Sequence, residues 1–86
     1  MTREILEDAL MDNKEASNHI TITQMSNIIG YVRPKLLMDT KTMRYYYEID
    51  VEELIASGLP DGEADSLREQ GWFFNSTKDK IQIFLQ

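Results

Sequence analysis

Any chemistry in this chain has to be built almost entirely from carboxylates. His19 is the only histidine and there is no cysteine, which excludes a thiol nucleophile, a disulfide framework and a thiolate metal site. A transition-metal site would have to combine His19 with carboxylates alone, a weak donor set. Asp61-Gly62-Glu63-Ala64-Asp65 alternates acids like the start of a calcium loop. Yet Ser66 stands where that loop turns on a glycine, and Trp72 stands where it closes with a bidentate glutamate. No G-x-S-x-G, phosphate-binding glycine loop or H-E-x-x-H occurs. Carboxylate pairs are plentiful, but an acid pair needs a cleft before it can do acid–base work. The chain therefore reads as a non-enzyme, with no cofactor and no metal expected.

The carboxylates are banded along the chain. Residues 1–19 carry two basic and five acidic side chains, residues 20–47 four and one, and residues 48–70 one and eight. So acidic a stretch disfavours nucleic acid and anionic membranes as general partners, because phosphate backbones are held by clustered Lys and Arg. It suits a protein partner with a basic face, which Glu52, Glu53, Glu63 and Asp65 would steer. The same side chains have a plainer use, solvating exposed helix faces and complementing helix N-termini.

The elements that must position these groups are legible. Thr2 is a candidate N-cap, and Ile5, Leu6, Ala9 and Leu10 trace one face of a helix over about Arg3 to Glu15. Thr21 and Gln24 have the spacing of a capping box, with Ile20 and Met25 at staple positions. They favour a helix from about Ile22 to Ile29 closed by Gly30, the alternating Ile20–Thr23 leaving a short strand before it as the alternative. Pro34 bars helix at Arg33. Then Lys35–Met38, a turn over 39–42 and Met43–Ile49 read as a hairpin with Tyr45 and Tyr47 on one face and Arg44, Tyr46 and Glu48 on the other.

The stretch from Ile49 to Trp72 is the most explicit. Asp50 and Glu53 form a capping box that starts a helix. Gly58 can take the left-handed conformation that ends it, Leu59 can fold back on Leu54, and Pro60 forbids continuation. The ending recurs at Gln70-Gly71-Trp72, where Trp72 would cover Leu67. Trp72–Asn75 and Lys80–Leu85 make a second hairpin around 76–79, with Ile81, Ile83 and Leu85 pointing one way and Phe84 the other. The expected fold is a single small α+β domain over residues 1–86. Its order is α-α-ββ-α-α-ββ, with helices packed on antiparallel hairpins.

That fold points to a small acidic module that binds another protein or itself, as an adaptor, inhibitor or accessory structural protein. Three surfaces offer themselves. If helices cover the face bearing Tyr45, Tyr47, Ile81 and Ile83, then Tyr46, Phe73 and Phe84 point outward with Arg44 beside them, a composition typical of interface anchors. The same rings could instead form a second small core under the first helix. The strand ending at Leu85 could be an unprotected edge, open to pairing with another chain. The acidic helical pair is the third surface. In size and acidity the chain resembles small phage-encoded inhibitors that imitate nucleic acid. The N-terminus reads as lacking an apolar signal region, and no apolar run approaches about 18 residues. A cytoplasmic location is expected, where the Asn75-Ser76-Thr77 glycosylation sequon has no consequence. The alternative function is a helix-turn-helix regulator of DNA built from residues 22–38. Met25-Ser26, Gly30, Tyr31 and Leu36 have its spacing, and Arg33, Lys35, Lys41 and Arg44 follow where phosphates would lie. Its recognition helix would have almost nothing polar with which to read bases.

Overall fold

The computed structural model describes residues 1–13, 28 and 30–85. Within them lie three helices, α1 (Arg3–Leu10), α2 (Val51–Ala56) and α3 (Glu63–Gln70), and four strands, β1 (Lys35–Asp39), β2 (Arg44–Asp50), β3 (Phe73–Asn75) and β4 (Lys80–Phe84). Of the expected helix over 22–29 only Ile28 is described, helical and buried at 2% exposure; the rest of it and His19 lie outside the described residues. The α+β class and the antiparallel hairpins are as expected, and the hairpins join in one four-stranded sheet of order β1-β2-β4-β3.

Helix ends follow local chemistry. The Thr2 hydroxyl accepts the Ile5 N–H at 3.3 Å, and the Asp50 carboxylate accepts the Glu52 N–H at 3.0 Å. Each satisfies one of the donors that a helix start leaves unpaired. Helix α1 is shorter than its apolar periodicity suggests, because Met11 turns extended and Asp12 is left-handed at φ 55. Gly58 sits at φ 82 and Gly71 at φ 100. After α3, the Gly71 N–H meets the Arg68 carbonyl at 3.0 Å and the Trp72 N–H meets the Leu67 carbonyl at 3.1 Å, the paired closure of a Schellman motif.

One core unites the elements. Leu6 and Leu10 of α1, Val51 and Leu54 of α2 and Leu67 of α3 cluster with Ile49, Trp72, Phe74, Ile81 and Ile83. All three helices thus lie against one face of the sheet. Trp72 is wholly buried, and its indole N–H donates to Gln70 Oε1 at 3.0 Å, so the ring is buried without an orphaned donor. Helices α1 and α3 also hold each other's ends. Asn13 Nδ2 donates to the carbonyls of Arg68 at 3.1 Å and Trp72 at 2.6 Å, while Arg68 Nη1 donates to the Ala9 carbonyl at 2.7 Å.

The topology corrects two expectations. The C-terminal strand is not an edge, because β4 pairs with β2 on one side and β3 on the other. Strands β2 and β3 therefore run parallel with β4 inserted between them, a split β-α-β arrangement. Among the described residues the edges are β1 and β3. Nor do the described helices cover the whole of the expected face. Tyr45 shares that face with Tyr47 and Ile49, yet it is 53% exposed.

Candidate functional site

On the face of the sheet away from the helices, side chains are ordered in rows by the strand register. Leu37 lies opposite Tyr46, and Tyr46 opposite Phe84. The next row runs Lys35, Glu48, Gln82, Phe73, and the third joins Asp50, Lys80 and Asn75. Directly opposed side chains on adjacent strands touch, and diagonal neighbours are within reach of aromatic rings.

Aromatic contacts follow from that placement. The Tyr46 and Phe84 rings are 5.1 Å apart and tilted by 42°, and Phe73 stacks on Phe84 at 6.0 Å and 7°. The Arg44 guanidinium carbon sits 5.0 Å from the Phe84 centroid, and Lys78 Nζ sits 6.0 Å from that of Tyr46. Both distances lie within the range in which a cation is attracted to a ring face. Met38 to Lys41 from the first hairpin and Lys78 from the second flank a depression of about 410 Å³, lined also by Tyr46, Phe73, Asn75, Gln82 and Phe84. It is a concave, cation-rimmed aromatic surface.

The polar rows beside the rings are internally satisfied. Gln82, only 2% exposed, donates to Glu48 at 2.8 Å and accepts from Asn75 Nδ2 at 3.1 Å. Asn75 Oδ1 accepts the Lys78 N–H at 3.2 Å, so the amide of the sequon asparagine is engaged at both ends. Lys80 Nζ meets Asp50 Oδ2 at 3.0 Å. This lysine holds the Asp50 carboxyl below the usual carboxylate range, helped by the Glu52 N–H, and the carboxylate raises the Lys80 pKa in return. No buried side-chain polar atom among the described residues lacks a partner.

The residues expected to bind a partner form two surfaces. Arg44, Tyr46, Phe73 and Phe84 come together on the open face. Glu52, Glu53, Glu63 and Asp65 belong to α2 and α3, on the other side of the sheet. Glu52 is already engaged by Arg3 at 2.7 Å, and Arg3 also grips Asp79 at 2.6 Å. Asp79 is thereby held below its usual range, with Arg3 the main cause. One expected exposure is corrected. Tyr46 is only 9% exposed, so it is the floor of the aromatic surface, whereas Phe73 and Phe84 are half-buried and present ring area to solvent. The rings are not a second core under α1, since α1 lies on the opposite face.

Composition alone missed five contributors. Lys41 and Lys78 reach the depression from the two hairpin loops, and Leu36, Leu37 and Met38 of β1 are 54%, 37% and 39% exposed. Alternation along the strands placed the rings on a common face, but loop lysines carry no period that would have located them.

The helix-turn-helix alternative needs a recognition helix where the chain instead forms β1, Lys35–Asp39. Met25 and Ser26 of its first helix lie outside the described residues. Among the described residues no group of His, Cys, Asp and Glu is placed to hold a metal ion, and no helix is long and apolar enough to cross a membrane. Compared with protein families, with curated proteins and with solved structures, the chain shows no match.

Proposed function

We infer that this chain is a non-enzymatic interaction module that binds a protein partner on the open face of its sheet. The observation carrying this reading is the Tyr46–Phe84–Phe73 cluster with Arg44 over Phe84, set in a concavity on the face that the described helices leave bare. Half-buried aromatics with an adjacent arginine, in a pocket that sheds water on contact, are the composition from which binding hot spots are made. Phe73 and Phe84 are the anchors, Tyr46 holds them in place from below, and Arg44 supplies a charged hydrogen-bonding edge.

Charge gives the orientation. The depression is flanked by Lys41 and Lys78, with Arg44 over Phe84, while the two short helices on the far side hold Glu52, Glu53, Glu63, Asp65 and Glu69 against Arg68. A partner segment bearing an apolar side chain next to a carboxylate is drawn to the rim and repelled by the helical side. A basic partner would instead meet Glu52, Glu53, Glu63 and Asp65 on the helices, where there is no aromatic anchor.

The test is capture from the native host lysate, with half of the lysate treated with nuclease, comparing wild type with a Phe73→Ala/Phe84→Ala variant shown to be folded by circular dichroism. A protein partner retained after nuclease and lost with the variant is expected. Capture that depends on nucleic acid, or that ignores both substitutions, overturns the reading.

A further inference from the structure

We propose that the β1 edge is a homodimerisation surface, on which Lys35–Asp39 pairs antiparallel with the same strand of a second copy to make one continuous eight-stranded sheet. This goes beyond the partner assigned to the aromatic face and does not depend on it.

Among the described residues, strand β1 has a neighbour, β2, on one side only. Its outer side therefore presents backbone N–H and C=O groups to solvent. Natural edges are commonly blunted by a central charge, a bulge or an internal proline. None of these interrupts β1. Pro34 precedes the strand, the register with β2 is unbroken, and the three central residues Leu36, Leu37 and Met38 are apolar and exposed. Beside them Tyr45 is 53% exposed, directly opposite Met38.

The sequence of the strand says what covers it. Lys-Leu-Leu-Met-Asp is self-complementary when two copies run antiparallel about Leu37. Lys35 then faces Asp39 of the second copy, Leu36 faces Met38, and Leu37 faces Leu37. A two-fold axis perpendicular to the sheet keeps like faces on the same side, so every row of the monomer continues into a matching row. Phe84, Tyr46 and Leu37 run on into Leu37, Tyr46 and Phe84 of the second copy. Ile83, Tyr47 and Leu36 run on into Met38 and Tyr45. Glu48 and Lys35 run on into Asp39 and Arg44, so charge alternates in sign across the junction. An unrelated strand has no reason to match both the apolar rows and the charged ones. The pairing also places the two aromatic concavities on one surface.

A single five-residue strand with three exposed apolar side chains, and Tyr45 of β2 beside it, buries less than the roughly 800 Å² per partner of a standard interface. The dimer is accordingly weak, and a concentration series into the high micromolar range is needed to see it.

The experiment is sedimentation equilibrium of the full chain over such a series, with two charge variants. The Lys35→Asp protein has two acids in β1 and the Asp39→Lys protein has two bases, so either alone sets like charges opposite each other. Wild type should dimerise, each variant alone should weaken self-association at least about tenfold, and an equimolar mixture should restore a heterodimer. The proposal is overturned if wild type stays monomeric throughout, or if both folded variants self-associate as tightly as wild type. As a second measurement, should a variant fail to fold, isotope-filtered nuclear Overhauser effects in a mixed-label wild-type sample should connect Leu37 to Leu37 across the axis. Their absence from a dimer would place its contact elsewhere and sink the pairing. The Phe73→Ala/Phe84→Ala variant keeps the dimer, which separates this proposal from the partner reading.

Discussion

At residue scale, Gly58 shows how a single backbone angle carries stability. It sits at φ 82, and a Cβ built there would meet nothing within 4 Å, so substitution is opposed by backbone strain alone. Gly58→Ala should lower stability by about 1 kcal/mol, the left-handed penalty less the entropy that alanine removes from the unfolded chain. Gly58→Asn should lose less, and urea unfolding measures both. Asp50 has two duties, capping α2 and pairing with Lys80. Its folded pKa is depressed, as are those of Asp79 and Asp39. Stability from these groups is complete above the unfolded carboxylate pKa of about 3.9 and is lost as pH falls below it. Lys80 is raised, so its contribution is complete below about 10.4 and lost as pH climbs past that. The urea midpoint should therefore be flat from roughly pH 5 to 9 and fall on either side. Asp50→Asn keeps a capping residue but removes the charge, and should soften both limbs.

At the scale of elements, α2 and α3 are only six and eight residues long. Helices this short are marginal alone in water and exist because their apolar faces are packed. The reciprocal grip of Asn13 and Arg68 on opposite helix ends is consequently a joint between elements as well as a pair of caps. Asn13→Ala should destabilise by about 1–2 kcal/mol, from two hydrogen bonds that are partly shielded from water. Asn13→Asp, nearly the same shape, should be at least as damaging at neutral pH because it turns a donor into an anion facing two carbonyls. Thermal melts of the two variants check this, and an Asp variant as stable as wild type would remove Asn13 from the joint.

For the whole molecule, the radius of gyration is 11.9 Å, against about 12 Å expected for a packed chain of this length. One apolar cluster links all three helices to β2, β3 and β4, and Trp72, the only tryptophan, lies within it. Unfolding should therefore be a single cooperative event. Trp72 fluorescence and far-ultraviolet circular dichroism should trace one urea transition, and separate midpoints would show that helices and sheet come apart independently. Trp72→Ala removes about 3–5 kcal/mol from a total of roughly 5–15, and should leave little or no folded protein at 37 °C.

The sequence by itself determined what is settled within a turn or a strand. Thr2 and Asp50 as caps, Gly58 and Gly71 as left-handed stops, and the alternation that puts Tyr46 and Phe84 on one side all rest on contacts a few residues apart. Tertiary structure alone decided which strands are neighbours. Alternation assigns a face but not a partner, so β4 could be placed in the middle of the sheet, and β1 at its edge, only by pairings such as Ile49 with Ile81, more than thirty residues apart. The same long-range packing closed Phe84 over Tyr46, left Tyr45 exposed, and brought Asn13 to the end of α3. Local chemistry sets the elements and their faces; burial, which requires the rest of the chain to arrive, sets which of those faces remains open to a partner.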